Sequence, residues 1–328
     1  MLVTGPNGSG KTNLVEAIHL AAQGFSFRTR ADAQLVRSGC DEGLVRVEGD
    51  HAGAAVVAEA RVGTRTPKRL VLNGAPLQSA EELRRRVHAL VFTPDRLAVV
   101  KGGPAARRAY LDRSLGRLLP ARADAPAEYG TALGQRNAGL RRVALGVSSR
   151  EALVPWTARV AETGAALTEA RGRAIDLLAG PFAERAGELG LEDARLELVG
   201  EPATIATLDA RLDRDLERGF TGLGPHLDEI RVLAGSRDLR TFGSQGEQRM
   251  AVLALVLAEA ELLAGHEGVP PLLLLDDALS ELDAARRRIL SERVGVLGQA
   301  IVTATGAEAL PLAPAQLLEV TPGAVRAA

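Results

Sequence analysis

Eight residues near the start of the chain restrict its fold more than anything else in it. Gly5-Pro6-Asn7-Gly8-Ser9-Gly10-Lys11-Thr12 fits G-x-x-x-x-G-K-[ST] without a gap. Leu2-Val3-Thr4 reads as the end of a strand, and Lys11 to Ala22 as a helix with Leu14, Ile18 and Ala21 on one face. A glycine-rich turn between strand and helix lets backbone N–H groups curl around an anion, and the helix N-terminus adds its dipole at the same point. In this reading Gly5 to Thr12 cradle the phosphates of ATP, Lys11 reaches the β- and γ-phosphates, and Thr12 offers a hydroxyl to Mg²⁺. Lysine is scarce here: of 40 basic residues only Lys11, Lys68 and Lys101 are lysines. A lysine kept in the cradle agrees with a role that needs a compact point charge rather than a planar fork.

A cradle of this kind needs an acidic partner. Leu272 to Leu275, an apolar strand of the sort buried on both faces, runs into Asp276-Asp277. Asp276 suits Mg²⁺ or its water, and Asp277 suits the attacking water. A third pattern, Phe242-Gly243-Ser244-Gln245-Gly246-Glu247-Gln248-Arg249, opens a long helix over Gln245–Leu263. Ser244 with Glu247 three residues on is a capping box, which any good helix can carry. The same small, donor-rich tip could instead face a γ-phosphate. Local sequence leaves the two readings level.

Composition sets outer limits. The chain's 328 residues, 46% of them hydrophobic, support one or two compact domains. A net charge of -1 excludes a dedicated nucleic-acid-coating domain, so any DNA surface must be a local patch. Arg84-Arg85-Arg86, Arg107-Arg108 and Arg141-Arg142 could meet phosphates, although the commoner reading of any one cluster is a solvated helix face. Cys40 is the single cysteine, which rules out an internal disulfide and fits a reducing cytoplasm. The apolar runs fall short of the ~20 residues that span a bilayer, so no membrane is expected. Alternating and β-branched stretches predict strands over Leu44–Glu48, Ala54–Val62 and Arg69–Leu72, with a hairpin turn at Asn73-Gly74. Further strands are expected at Ala89–Thr93, Ala194–Val199, Glu229–Leu233, Ala300–Thr305 and Leu317–Val320. Residues 104–190 read as helical, broken near Pro120, Pro155 and Pro181.

The order of these motifs resembles the ABC/SMC type of ATPase head, and more narrowly the RecF family. The nineteen residues from Pro94 to Asp112 carry that narrower resemblance. So does Leu274-Leu275-Asp276-Asp277 running through the D-loop Ser280-Glu281-Leu282-Asp283 to Arg286 and Leu290. Gly224-Pro225-His226 before Asp228 adds to it, with Leu227 where the family often has a basic residue. The resemblance implies an α/β fold: a P-loop NTPase mixed sheet with helices as lobe I (1–103 and 264–328) and a largely helical lobe II (104–263) carrying the signature Gly243 to Glu247. It implies an ATP-dependent homodimer in which Ser244 of one copy seals the cradle of the other, making Lys11, Asp277 and Ser244 the catalytic set. It further implies a weak DNA-stimulated ATPase that clamps double-stranded DNA near single-strand/duplex junctions. With RecR and RecO as partners, such a clamp promotes RecA loading in recombinational repair and replication restart.

Three departures stand out. The family places two strands before the cradle where this sequence has only Leu2 to Thr4, which leads us to expect a start upstream of Met1 and an incompletely paired sheet. Many ABC heads carry a histidine after the D-loop; here the strand reads Thr303-Ala304-Thr305, with either threonine available for that contact. No Q-loop glutamine stands around Phe92 to Asp95. Three other readings share the cradle: the ATPase subunit of a membrane transporter, a small-molecule kinase, and a slow ATP-gated scaffold. His19, His51, His88 and His266 suggest no site.

Overall fold

The computed structural model describes residues 1–29, 31–51 and 53–327. The chain runs through β1 (Leu2–Thr4), α1 (Lys11–Gln23), β2 (Glu42–His51), β3 (Ala54–Gly63), β4 (Arg69–Leu72), β5 (Ala75–Pro76), α2 (Ala80–Arg84) and β6 (Ala89–Phe92). Next come α3 (Ala98–Lys101), α4 (Pro104–Leu118), α5 (Ala125–Ala144), α6 (Val154–Glu188), β7 (Ala194–Val199), α7 (Ile205–Ala210), α8 (Leu212–Arg218), β8 (Glu229–Ala234), β9 (Arg237–Asp238) and the single turn α9 (Leu239–Phe242). Then follow α10 (Gln245–Glu267), β10 (Leu272–Leu275), α11 (Ala284–Val296), β11 (Ala300–Ala304), β12 (Leu317–Thr321) and β13 (Ala324–Ala327).

Contacts divide the chain into two units. One comprises Met1–Leu97, Glu184–Leu191 and Gln245–Ala328, the other Ala98–Ala183 and Glu192–Ser244. Set against the lobes expected from sequence, residues 98–103 fall in the second unit, and 184–191 and 245–263 in the first. The reason for the last is burial. Met250 to Ala258 are buried all the way round α10, and this helix packs on β6 of the first unit. A helix apolar on every side belongs inside a core.

The first unit is built on a mixed sheet with the order β13-β12-β1-β11-β10-β6, parallel except for β13. β1 is paired on both sides, by β11 and β12, and the outer strands of the sheet are β13 and β6. Leu273, Leu274 and Leu275 are buried, as four leucines in a central parallel strand require. An antiparallel sheet, β2-β3-β4-β5, lies over the other face of α1. Val15 of α1 enters one core with Val3, Val91, Leu274 and Ile301, while Leu20 enters a second with Ala58, Ala60, Val62 and Leu70. The helix that follows the cradle is thus held from both sides.

The second unit is helical, with a three-stranded antiparallel sheet, β7-β8-β9. Pro181 does not break the helix expected to end near it: α6 runs from Val154 to Glu188 through the proline. Losing one backbone hydrogen bond there disfavours the helix by about 3 kcal/mol. Full burial of Leu178 and Phe182, each contributing roughly 1.5–3 kcal/mol, outweighs it.

Buried charge, rather than apolar packing alone, fixes the loop between α8 and β8. Arg171 of α6, 3% exposed, grips Asp112 of α4 with two bonds of 2.8 and 3.0 Å, and also donates to the Pro225 carbonyl at 2.7 Å and to Asp228 at 3.3 Å. Arg108 donates to the Asp228 carbonyl at 2.7 Å. His226 Nε2 faces the Thr221 carbonyl at 3.0 Å and must donate to it, so Nδ1 accepts from the Tyr129 hydroxyl at 2.7 Å. Burial lowers the pKa of His226 and raises those of Tyr129 and Asp228; Arg171 acts against the rise at Asp228. Gly224 has φ 126°, and a Cβ there would stand 2.6 Å from the Tyr129 oxygen. The Gly-Pro-His pattern and the Pro94–Asp112 run, distant in sequence, meet in this one network.

Candidate nucleotide-binding site

The cradle follows β1 at the carboxyl end of the parallel strands, where open α/β sheets place ligands. Gly5, Gly8 and Gly10 all take positive φ, at 152°, 81° and 108°. Gly5 is irreplaceable on space as well, since a Cβ would lie 2.3 Å from the Val320 carbonyl of β12. Pro6, Asn7 and Gly8 are exposed, and Gly10, Lys11 and Thr12 half-buried. The Lys11 ammonium donates to the Gly5 and Pro6 carbonyls at 2.7 and 3.0 Å, arching over its own loop. Ser9 is buried, and its hydroxyl has no hydrogen-bond partner among the described residues. A loop with three glycines at positive φ, a spare buried hydroxyl and an ammonium resting on neutral backbone carbonyls fits a phosphate chain.

Asp276 and Asp277 end β10 two strands away from β1, with β11 between them. Two inter-strand spacings amount to roughly 10 Å. The carboxylate of Asp276 is buried, and its Oδ1 accepts from the Thr303 hydroxyl at 2.7 Å. The same hydroxyl oxygen accepts from the Asp277 N–H at 2.9 Å. Thr303 is therefore spent on orienting the acidic pair and is not open for a phosphate contact, whereas Thr305 is exposed. Asp277 takes a left-handed φ of 51°. Ser280 shares its proton between the Asp277 carboxylate (2.9 Å) and carbonyl (3.0 Å). Two carboxylates in this setting suit a hydrated divalent cation.

Replacing Thr303 with valine keeps the shape but removes both bonds. We expect a loss of about 1–3 kcal/mol of stability from leaving the Asp277 N–H and Asp276 carboxylate short of partners. Urea unfolding at the wild-type midpoint would show the hydroxyl to be dispensable.

Arg249, in the motif that opens α10, ties the helix to the acidic strand end. Its guanidinium bonds the Asp277 carbonyl and, at 3.0 Å, the Ser280 hydroxyl, and lies over the Phe92 ring at 5.3 Å. Burial disfavours its charge, which Glu281 and Asp277 support. The signal in the sequence was an arginine set directly against the apolar run Met250 to Ala258, where a charge needs a partner. In the D-loop, Leu282 is buried, Asp283 caps α11 by accepting from the Arg286 N–H at 2.8 Å, and Glu281 is exposed with φ 63°. Ser244, Gln245 and Gly246 are exposed at the start of α10 and Glu247 is half-buried.

The arginine clusters fare unequally. Arg107 is 2% exposed and bonds the Val100 and Gly102 carbonyls and Glu229, so it is an internal tie and not a DNA contact. Arg108 is occupied as described above. Arg84 pairs with Glu81 and lies over Phe25. Arg85, Arg86, Arg141 and Arg142 are exposed. An Arg-Arg pair on an amphipathic helix puts its members on different faces, which the sequence clusters concealed.

Comparison with known proteins agrees with this geometry. Residues 1–325 match the model of the RecF/RecN/SMC N-terminal domain. The DNA replication and repair protein RecF of Symbiobacterium thermophilum is 36% identical over 323 residues, covering 93% of this chain and 85% of its own. RecF of Anaeromyxobacter sp. (strain K) is 39% identical over 321 residues, covering 93% and 86%. A solved structure of the recombination mediator RecF with ATP, in the RecFOR pathway, superposes with a TM-score of 0.87 at 27% identity over 100% of this chain and 91% of that one. An Smc head bound to the C-terminal winged-helix domain of ScpA shares the fold, with a TM-score of 0.57 at 18% identity, 100% of this chain and 88% of that one. The strand order, the cradle and the acidic strand end sit on a scaffold shared along almost the whole chain, and the chain belongs to the RecF family within the RecF/RecN/SMC group.

Proposed function

We propose that this chain is an ATP-dependent DNA replication and repair protein that binds and hydrolyses ATP. The observation that carries the reading is the cradle Gly5 to Thr12 standing at the same sheet edge as Asp276 and Asp277, with Lys11 over the loop. Backbone N–H groups of the cradle and Lys11 bind the phosphates, while Thr12 and Asp276 hold Mg²⁺. The cation supplies charge neutralisation at the transferring phosphate. Asp277, kept in place by Ser280 and by the Thr303 bond to its N–H, orients and deprotonates the attacking water.

The rest of the site comes from a second copy. Ser244 and its neighbours form an exposed helix tip that belongs opposite another chain's cradle, where its dipole faces the γ-phosphate. Two chains then close on two ATP molecules and clamp double-stranded DNA near single-strand/duplex junctions, with Arg85, Arg86, Arg141 and Arg142 as the accessible cations. RecR and RecO are the expected partners, promoting RecA loading. No helix among the described residues is long and apolar enough to cross a membrane.

The decisive experiment measures ATP turnover and sedimentation with gapped, duplex and no DNA. We expect ATP to drive dimerisation and DNA to raise a low turnover. Ser244→Arg should leave ATP binding within about twofold, since the residue lies outside its own cradle, yet abolish the ATP-dependent dimer. Persistence of that dimer would remove the cross-subunit role.

A further inference from the structure

Strand register sets three side chains in one row at the carboxyl edge of the parallel sheet. Leu275 of β10 stands opposite Phe92 of β6 and Val302 of β11. The next residue on each strand is Thr93, Asp276 and Thr303, and the ladder continues there, with the Asp276 N–H bonded to the Phe92 carbonyl at 2.9 Å. Asp276 thus has a threonine on either side. Thr303 is fully engaged, as described above. Thr93 is not: it is 2% exposed, and its buried hydroxyl oxygen has no hydrogen-bond partner among the described residues.

A hydroxyl shut away from water without a partner is costly, and valine has the same shape without that cost. A threonine here needs a reason, and its neighbour provides one. Magnesium keeps several of its waters when bound by one or two carboxylates. Such waters are strong donors, and groups that accept from them tune the cation's affinity. We propose that the Thr93 hydroxyl accepts a hydrogen bond from a water in the hydration shell of the nucleotide-bound cation, on the side of Asp276 opposite Thr303. The inference rests on the reading of Asp276 and Thr12 as the cation's protein ligands.

The test uses Mn²⁺ as the probe, titrated by electron paramagnetic resonance into the full chain with a slowly hydrolysed ATP analogue. Wild type, Thr93→Val and Thr93→Ser are compared, alongside nucleotide binding in EDTA and urea unfolding. Thr93→Val should bind Mn²⁺ about tenfold more weakly, with EDTA-state nucleotide binding unchanged and a urea midpoint at or above wild type. Thr93→Ser should retain the wild-type affinity. Unchanged Mn²⁺ affinity in Thr93→Val overturns the proposal. So does a loss in both variants accompanied by a lower urea midpoint, which marks a packing role. Should Thr93→Val fail to fold, Thr93→Ala is judged by the same criterion. If wild type itself shows no nucleotide-dependent Mn²⁺ binding, the cation reading of Asp276 and Thr12 fails first and Thr93 falls with it.

Discussion

Lys11→Ala is expected to lower ATP turnover by about a hundredfold or more while leaving the urea midpoint of the chain where it was. The two parts of that expectation come from different observations. The ammonium's hydrogen bonds are to the Gly5 and Pro6 carbonyls, which carry no net charge, so its removal leaves no buried charge behind. Its position over the cradle is what a developing negative charge on phosphate uses. Lys11→Arg should recover little, because a planar guanidinium cannot place one compact charge over the carbonyls of two adjacent residues. Turnover with a coupled phosphate assay and affinity with a fluorescent nucleotide measure the two steps separately. Wild-type values for both in Lys11→Ala would remove the cradle assignment.

The largest effect on stability should come from Arg171→Leu in the second unit. Arg171 pairs Asp112 in a fork, reaches Asp228 and donates to the Pro225 carbonyl. Deleting it strands two carboxylates, one of them almost fully buried, and a loss of about 3–5 kcal/mol follows. The chain has one tryptophan, Trp156, which lies in this unit, so its fluorescence in urea reports the transition directly. A second mutation, Asp228→Leu, should restore part of the loss, because it removes the uncompensated charge.

The sign with pH is also fixed. Burial already holds the Asp228 carboxyl above its ordinary range, with Arg171 acting against that rise. Without Arg171 the folded-state pKa climbs further above the unfolded value. The variant's deficit is therefore smallest in acid, where both states are protonated, and grows as pH rises through the folded-state pKa. A deficit that instead grew toward acid would contradict this account.

Motifs with strict backbone demands were legible in the sequence. The cradle and the strands over Leu2–Thr4, Ala89–Thr93 and Leu272–Leu275 stand where periodicity and apolar runs put them, because local conformation and two-sided burial are written in consecutive residues. Helix α10 was equally plain. Pro181 misled, since a local breaker was overruled by burial along a 35-residue helix. The strands β5 and β9 escaped notice for lack of length, having 2 residues each, and β13 because all of its residues are exposed and carry no buried apolar period.

Side-chain duty was less legible. Arg107 and Arg108 read as a surface pair, but Arg107 is a buried tie and Arg108 is turned inward onto a carbonyl. Thr303 was one of two interchangeable threonines until the sheet placed it against Asp276. Arg249 had no role until α10 set it over Phe92 and against Asp277.

By itself the amino-acid sequence determined that a phosphate-holding turn sits between a strand and a helix, and that an acidic pair ends a strand buried on both faces. Spacing and apolar period are local properties, and they survive reading in one dimension. Only the tertiary structure decided which polar groups spend their hydrogen bonds on one another and which keep them for something else. That outcome depends on strand register and burial, which bring residues 93, 276 and 303 into one row and place residue 171 between 112 and 228.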